Sequence, residues 1–177
     1  IVSWGQFYSG LSLYGLYYNN AMIEMTIPGR GILRIDYLVC DVNGTLTVDG
    51  KLVDSVTHAV TTLKDRLTIH LLTADTFGTA ALLERQLGVP VTRLVPGGEA
   101  QQKLEFITRL GCENVAAIGQ GANDELMLKS AAIGICVLSR EGAAASTIQS
   151  ADLVVPDIQS ALELLEKPLR LVATLRI

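Results

Sequence analysis

The chain has 177 residues, 49% of them hydrophobic and 18% charged, with 14 Lys and Arg against 18 Asp and Glu for a net charge of -4. That length fits one domain of ordinary size with a sizeable core, and so apolar a chain is not a disordered one. A net acidic chain with no Lys/Arg cluster longer than two residues excludes a protein built to grip a nucleic-acid backbone.

Residues 1–23 carry no charge and hold six of the nine aromatics, Trp4, Phe7, Tyr8, Tyr14, Tyr17 and Tyr18. No basic region precedes an apolar stretch, as a signal peptide requires, and Gln6, Ser9, Ser12, Asn19 and Asn20 are scattered where a membrane span would be continuous. Residues 1–21 read as an appendage without catalytic duty: an extension upstream of a start at Met22, a remnant joined to the chain, or an apolar arm that packs on a neighbouring subunit. Residues 22–177 read as one domain. Met22–Ile27 alternates, meets the turn signal Pro28-Gly29-Arg30-Gly31, and continues as Ile32–Cys40, so the two runs form a predicted hairpin. Tyr37-Leu38-Val39-Cys40 is apolar on both faces, the pattern of a central strand that ends at Asp41. Val53–Arg66 follows as a helix, Leu67–Leu72 as a strand, Thr76–Leu87 as a helix and Val89–Val95 as a short strand. Glu99–Leu110, Val115–Ile118, Asn123–Ala131, Ile133–Leu138, Gly142–Gln149, Leu153–Val155 and Ile158–Leu164 continue the alternation of helix and strand. Such a series implies an α/β fold: a single doubly wound, mostly parallel sheet with helices on both faces, preceded by the hairpin.

Cys40, Cys112 and Cys136 lack metal-site or disulfide spacing and read as small buried hydrophobes in a reducing cytoplasm. His58 and His70 have no partner at metal-ligand spacing. Neither residue type carries the chemistry.

The strand ends do. In an open parallel sheet ligands bind at the carboxyl ends of the strands, at the switch point. Asp41-Val42-Asn43-Gly44-Thr45-Leu46-Thr47 puts a carboxylate at the tip of a buried strand, where it can attack phosphorus, and follows it with a Gly that permits an unusual turn. Thr73-Ala74-Asp75 places a hydroxyl and a second carboxylate at the next strand end, where Thr73 and a helix N-terminus can hold phosphate oxygens. Lys103 can neutralise phosphate charge. Gly119-Gln120-Gly121-Ala122-Asn123-Asp124 brings an amide and a carboxylate to the place of a cation. Each signal alone has a plainer reading: a turn Asp, a Thr that caps a helix, a Lys on solvated surface. Their order, with three of the four at predicted strand ends, carries the argument.

In that order the sequence resembles the haloacid dehalogenase-like superfamily, and within it the phosphorylation domain of P-type ATPases. Asp41 to Thr47 is similar to D-K-T-G-T-L-T. Thr73-Ala74-Asp75-Thr76 is similar to the T-G-D-N stretch, and Gln102-Lys103 followed by Gly119–Asp124 is similar to the lysine segment and the G-D-G-x-N-D loop. The resemblance implies a phosphatase that works through a phosphoaspartate. Asp41 attacks the phosphoryl group, Mg²⁺ bridges it through Asp41, the Asn43 carbonyl and Asp124, and Thr73 and Lys103 hold the oxygens with Gly44 and Ala74 beside them. Asp75, Gln120 and Asn123 complete the site. Two departures bear on activity. Asn43 stands where soluble phosphatases of the superfamily carry a general acid/base Asp, and Gln120 where the family carries a metal-binding Asp, so turnover is expected to be slow and Mg²⁺ binding weak. The 31 residues between Asp41 and Thr73 leave no room for a nucleotide-binding or cap domain. An uncapped site implies a phosphorylated protein as substrate, or a small molecule enclosed by another subunit of a homo-oligomer; no membrane partner is expected. The alternative is a phosphate- or partner-binding domain of the same fold that has lost catalysis.

Overall fold

Alternation along the strands sets the architecture, because each buried strand must present side chains to two cores at once. In a computed structural model, which describes residues 22–75 and 78–177, strand β3 (Tyr37–Asp41) sends Leu38 and Cys40 to one core and Val39 to the other. Strands β6 (Thr68–Thr73), β8 (Val115–Gly119) and β9 (Ile133–Val137) divide their side chains in the same way. Helices α1 (Asp54–Leu63), α2 (Ala80–Leu87), α6 (Ile158–Glu166) and α7 (Pro168–Leu175) close the first core. Helices α3 (Glu99–Leu110), α4 (Glu125–Ser130) and α5 (Ala145–Ser150) close the second.

With β7 (Val91–Arg93) and β10 (Leu153–Val155) the sheet runs in the order β10-β9-β8-β3-β6-β7, and every pairing is parallel. The chain starts at the centre with β3, moves outward through β6 and β7, crosses back to β8, and moves outward the other way. The direction therefore reverses between β3 and β8, whose carboxyl ends flank the crevice where such sheets bind ligands. This is the doubly wound fold expected from the alternation, with helices on both faces. Among the described residues no helix is long and apolar enough to cross a membrane.

Several boundaries differ from the sequence reading. The run Ile32–Cys40 is two strands. β1 (Ile23–Ile27) pairs antiparallel with β2 (Gly31–Ile35), and the chain then changes partners at Asp36, whose N–H donates to the Asn114 carbonyl and whose carbonyl accepts from Thr68. The run stays mainly apolar on both sides of Asp36, so hydropathy alone does not mark where the partner changes. Helix α2 begins at Ala80 rather than Thr76, since Asp75 Oδ1 takes the Ala80 N–H at 2.9 Å; Thr76 itself, like the appendage 1–21, lies outside the described residues. Two elements were not expected from the sequence: α7, which opens on Pro168, and a small hairpin of β4 (Thr47–Val48) and β5 (Lys51–Leu52). That hairpin turns on Asp49 and Gly50, with φ of 50° and 73°, the mirror-image turn that Asp-Gly favours. Between β3 and α1 it is the only other regular element among the described residues.

Candidate active site

Asp41 ends the central strand, and the chain leaves it in a tight turn in which Thr45, Leu46 and Thr47 all donate backbone N–H groups to the Val42 carbonyl. Gly44 takes φ +76° in that turn, where an L side chain is strained, and a Cβ there would stand 2.1 Å from Gln120 Nε2. The turn thus carries Asn43 and Gly44 against the loop that follows β8.

Lys103 reaches in from α3 and is 1% exposed. Its ammonium has three protons and three acceptors: Asp41 Oδ1 at 2.6 Å, Asp124 Oδ1 at 2.6 Å and Asn123 Oδ1 at 3.2 Å. Thr45 Oγ1 donates to the other Asp41 oxygen at 3.1 Å. Asp124 is 0% exposed, and its second oxygen accepts the backbone N–H groups of Gln120 and Gly121, each at 2.9 Å. Gly119 makes this folding-back possible, since a Cβ there would lie 2.4 Å from Asp124 Cγ. Both oxygens of Asp124 are therefore committed to Lys103 and the loop.

Two carboxylates and one ammonium in the interior leave one negative charge in excess. Burial foremost, and then the Asp124 charge, push Asp41 up to about 7 against the pull of Lys103 and Thr45. Burial works to lower Lys103, but the two carboxylates outweigh it and its pKa is raised. Lys103 therefore stays a cation through the range in which Asp41 gives up its proton.

The cleft above these groups has a volume of about 430 Å³ and is lined by Asp41, Asn43, Ala74 and Gln120 to Asn123. The Gln120 side chain sets Nε2 3.4 Å from the Asn43 carbonyl. Of the residues singled out from the sequence, Asp41, Asn43, Gly44, Lys103, Gln120, Asn123 and Asp124 come together here, and Ala74 also lines the cleft. Thr73 lies beneath, 1% exposed, its hydroxyl oxygen accepting the Asp75 N–H at 2.8 Å. Asp75 is turned to other work: it pairs with Arg93 at 2.9 Å and receives the first N–H of α2, so it braces a loop and does not line the cleft. Thr45 was passed over as a site residue although it stands in the motif. Its hydroxyl lies four residues past the carboxylate it contacts, a spacing that makes sense only once the turn is known. A wider groove of about 700 Å³ adjoins the site, between the β4–β5 hairpin and the ends of β9 and β10.

Over 84 residues the chain is 50% identical to an uncharacterized protein of Methanocaldococcus jannaschii, a match spanning 45% of this chain and 90% of that one. Among solved structures it superposes on a candidate HAD family hydrolase of Streptomyces avermitilis with a TM-score of 0.58 at 22% identity, covering 72% of this chain and 86% of that one. It also superposes on 3-deoxy-D-manno-octulosonate 8-phosphate phosphatase of Moraxella catarrhalis with a TM-score of 0.63 at 16% identity, covering 80% and 94%. The chain belongs to the family of that archaeal protein, and its fold is haloacid dehalogenase-like. The Moraxella structure holds a magnesium ion, a phosphate ion and a KDO molecule. No family model matches the chain. Copper-transporting ATPase 1 of Rhizobium meliloti is 34% identical over 115 residues, which is 62% of this haloacid dehalogenase-like chain but 13% of the ATPase.

Proposed function

We propose that this haloacid dehalogenase-like chain is a phosphohydrolase that works through a phosphorylated Asp41. The observation that carries the reading is the Asp41 carboxylate at the switch point, one oxygen pinned by a buried ammonium and the residue lining an open cleft. Its other oxygen, which accepts the Thr45 hydroxyl, attacks phosphorus as the bond to the leaving group breaks. Water then attacks the same phosphorus, the bond to Asp41 breaks, and phosphate leaves with the carboxylate restored. Lys103 and Asn123 stabilise the charge that gathers on the phosphoryl oxygens. Thr73 shapes the floor beneath them. Asn43 orients leaving group or water but exchanges no proton near neutral pH, and the loss of such help costs about 10²–10⁴ in rate. A slow enzyme, or a long-lived phosphoenzyme of the kind P-type ATPases form, follows from that substitution. The partial identity with the copper ATPase supports the second.

Mg²⁺ fits this site, weakly. Asp41 and the Asn43 carbonyl put two oxygen donors on one wall and only Asp41 is charged, while the Gln120 side chain turns its Nε2 toward that carbonyl, Asp124 is committed elsewhere, and among the described residues no three acidic, His or Cys side chains gather. When bound, the ion would neutralise charge on the phosphoryl group. The described connections place no domain over the cleft, which supports a large phosphorylated substrate or one enclosed by a second subunit.

Acetyl phosphate and nitrophenyl phosphate, each with and without Mg²⁺, test the reading. The parent chain should accumulate a phosphoenzyme that Asp41→Asn cannot form, and Asn43→Asp should convert that accumulation into turnover. If the parent, Asn43→Asp and the double variant Asn43→Asp/Gln120→Asp release no phosphate and form no phosphoenzyme, a binding domain becomes the better account.

A further inference from the structure

Glu141 lies on the turn that follows β9, outside the motifs that carry the family resemblance. That turn is braced: Glu141 N–H donates to Ser139 Oγ at 2.9 Å, Gly142 N–H donates to the Ser139 carbonyl at 3.0 Å, and Gly142 has φ +90°. From it the side chain crosses to the β4–β5 hairpin, where Oε1 accepts the Asp49 N–H at 2.8 Å across 92 residues of sequence. The carboxylate is thereby fixed without being neutralised. Its second oxygen, Oε2, accepts no hydrogen bond among the described residues and stands over Gly44 instead. A Cβ on Gly44 would lie 3.0 Å from Glu141 Oε2 and 2.1 Å from Gln120 Nε2, so the two groups are no more than about 5 Å apart, the sum of those distances.

We infer that Glu141 supplies, from a different loop, the negative charge at the cation position that Gln120 lacks. The inference rests on the phosphohydrolase reading and names the residue that completes its metal site. Charge arithmetic supports it. Asp41, Asp124 and Lys103 leave the cleft with one excess negative charge; Glu141 brings the complement to the two that a divalent cation neutralises. Mg²⁺ gives up its water reluctantly, so a carboxylate a few ångströms beyond the inner ligands acts through the ion's hydration shell. The bond from Asp49 sets where that charge sits. Neither Glu141 nor Arg140, on the same turn, lines the cleft itself: Glu141 reaches its rim at Gly44, whereas Arg140 lines the neighbouring groove.

Calorimetric titration of the full chain with Mg²⁺ alone, at low ionic strength, tests this. Glu141→Gln keeps an acceptor for the Asp49 N–H and removes only the charge, so Mg²⁺ should bind roughly three- to tenfold more weakly. The deficit should shrink as salt is raised, which a purely structural role would not produce. Glu163→Gln, which removes an exposed carboxylate on α6, should bind as the parent does. In a Gln120→Asp background the Glu141→Gln effect should fall by half or more. Equal Mg²⁺ affinity in parent and Glu141→Gln overturns the inference, as does a parent that binds no Mg²⁺ at millimolar concentrations. Since the readout is binding, a chain whose Mg²⁺ affinity depends on Glu141 but which never forms a phosphoenzyme sinks the phosphatase reading alone.

Discussion

Lys103 shares its three protons among Asp41, Asn123 and Asp124, and the acidity of Asp41 follows from what that arrangement leaves uncompensated. Folding lifts Asp41 from 3.8 to about 7. Between those values the unfolded chain has lost a proton that the folded chain keeps. The group's contribution to stability is therefore fully present below pH 4 and is lost as pH rises through 7. Asp41→Asn keeps the shape and an acceptor for Lys103 while removing the excess charge. In urea unfolding at pH 8 it should be more stable than the parent by about 1–3 kcal/mol, with the gain shrinking toward pH 5; a less stable variant at pH 8 would contradict the charge count. At this scale the sequence was informative where chemistry is tied to a strand end. Asp41, Asn43, Gln120, Asn123 and Asp124 were legible because a hydrophobic run stops at each loop. Lys103 was legible only through the order of motifs, since nothing local separates it from a surface lysine. Asp75 and Glu141 take their roles from Arg93 and Asp49, contacts that exist only in the folded chain.

Elements bring those residues into line, and the tightest fit between two of them lies behind the site. Strand β9 passes so near α4 that a Cβ on Gly134 would stand 2.2 Å from the Leu128 carbonyl oxygen. That oxygen belongs to backbone and has little room to give. Gly134→Ala should push α4 outward and destabilise the fold by about 2–3 kcal/mol, read as a lower urea midpoint with unchanged slope. A cost under half a kcal/mol would mean that α4 moves freely. The sequence placed α3 and β10 with the bounds observed, because each is a clean period flanked by breakers: Gly98 and Gly111 around the helix, Pro156 after the strand. It failed where an element's limit depends on a partner. The change of sheet at Asp36 and the late start of α2 at Ala80 are set by hydrogen bonds to Asn114 and Asp75. The β4–β5 hairpin did carry a local signal, Asp49-Gly50, but its two-residue strands are too short for alternation to show.

Among the described residues the end away from the cleft is closed by the hairpin β1–β2 and α7, and just past that helix the Ile177 N–H donates to the Pro28 carbonyl at 3.1 Å. Ile23, Met25 and Ile27 face that helix side of the core, and Leu171 is wholly buried there. Leu171→Ala should cost about 2–4 kcal/mol in urea unfolding while leaving intact the phosphoenzyme formation proposed for the folded protein. Loss of that chemistry at equal folded fraction would show that the two ends are coupled. The doubly wound order was legible in outline, since alternating helix and strand admits few right-handed arrangements. The order of strands has a further consequence, for synthesis. β3 is the first strand of the large sheet to be made and yet sits at its centre, apolar on both faces. β6 can pair with one side of it early, but the other side waits for β8, which ends at Gly119. Contacts of such long sequence separation form slowly. A growing chain therefore carries an open, hydrophobic strand edge through the making of some eighty residues, the interval in which mispairing with another chain competes with folding and a chaperone has most to protect.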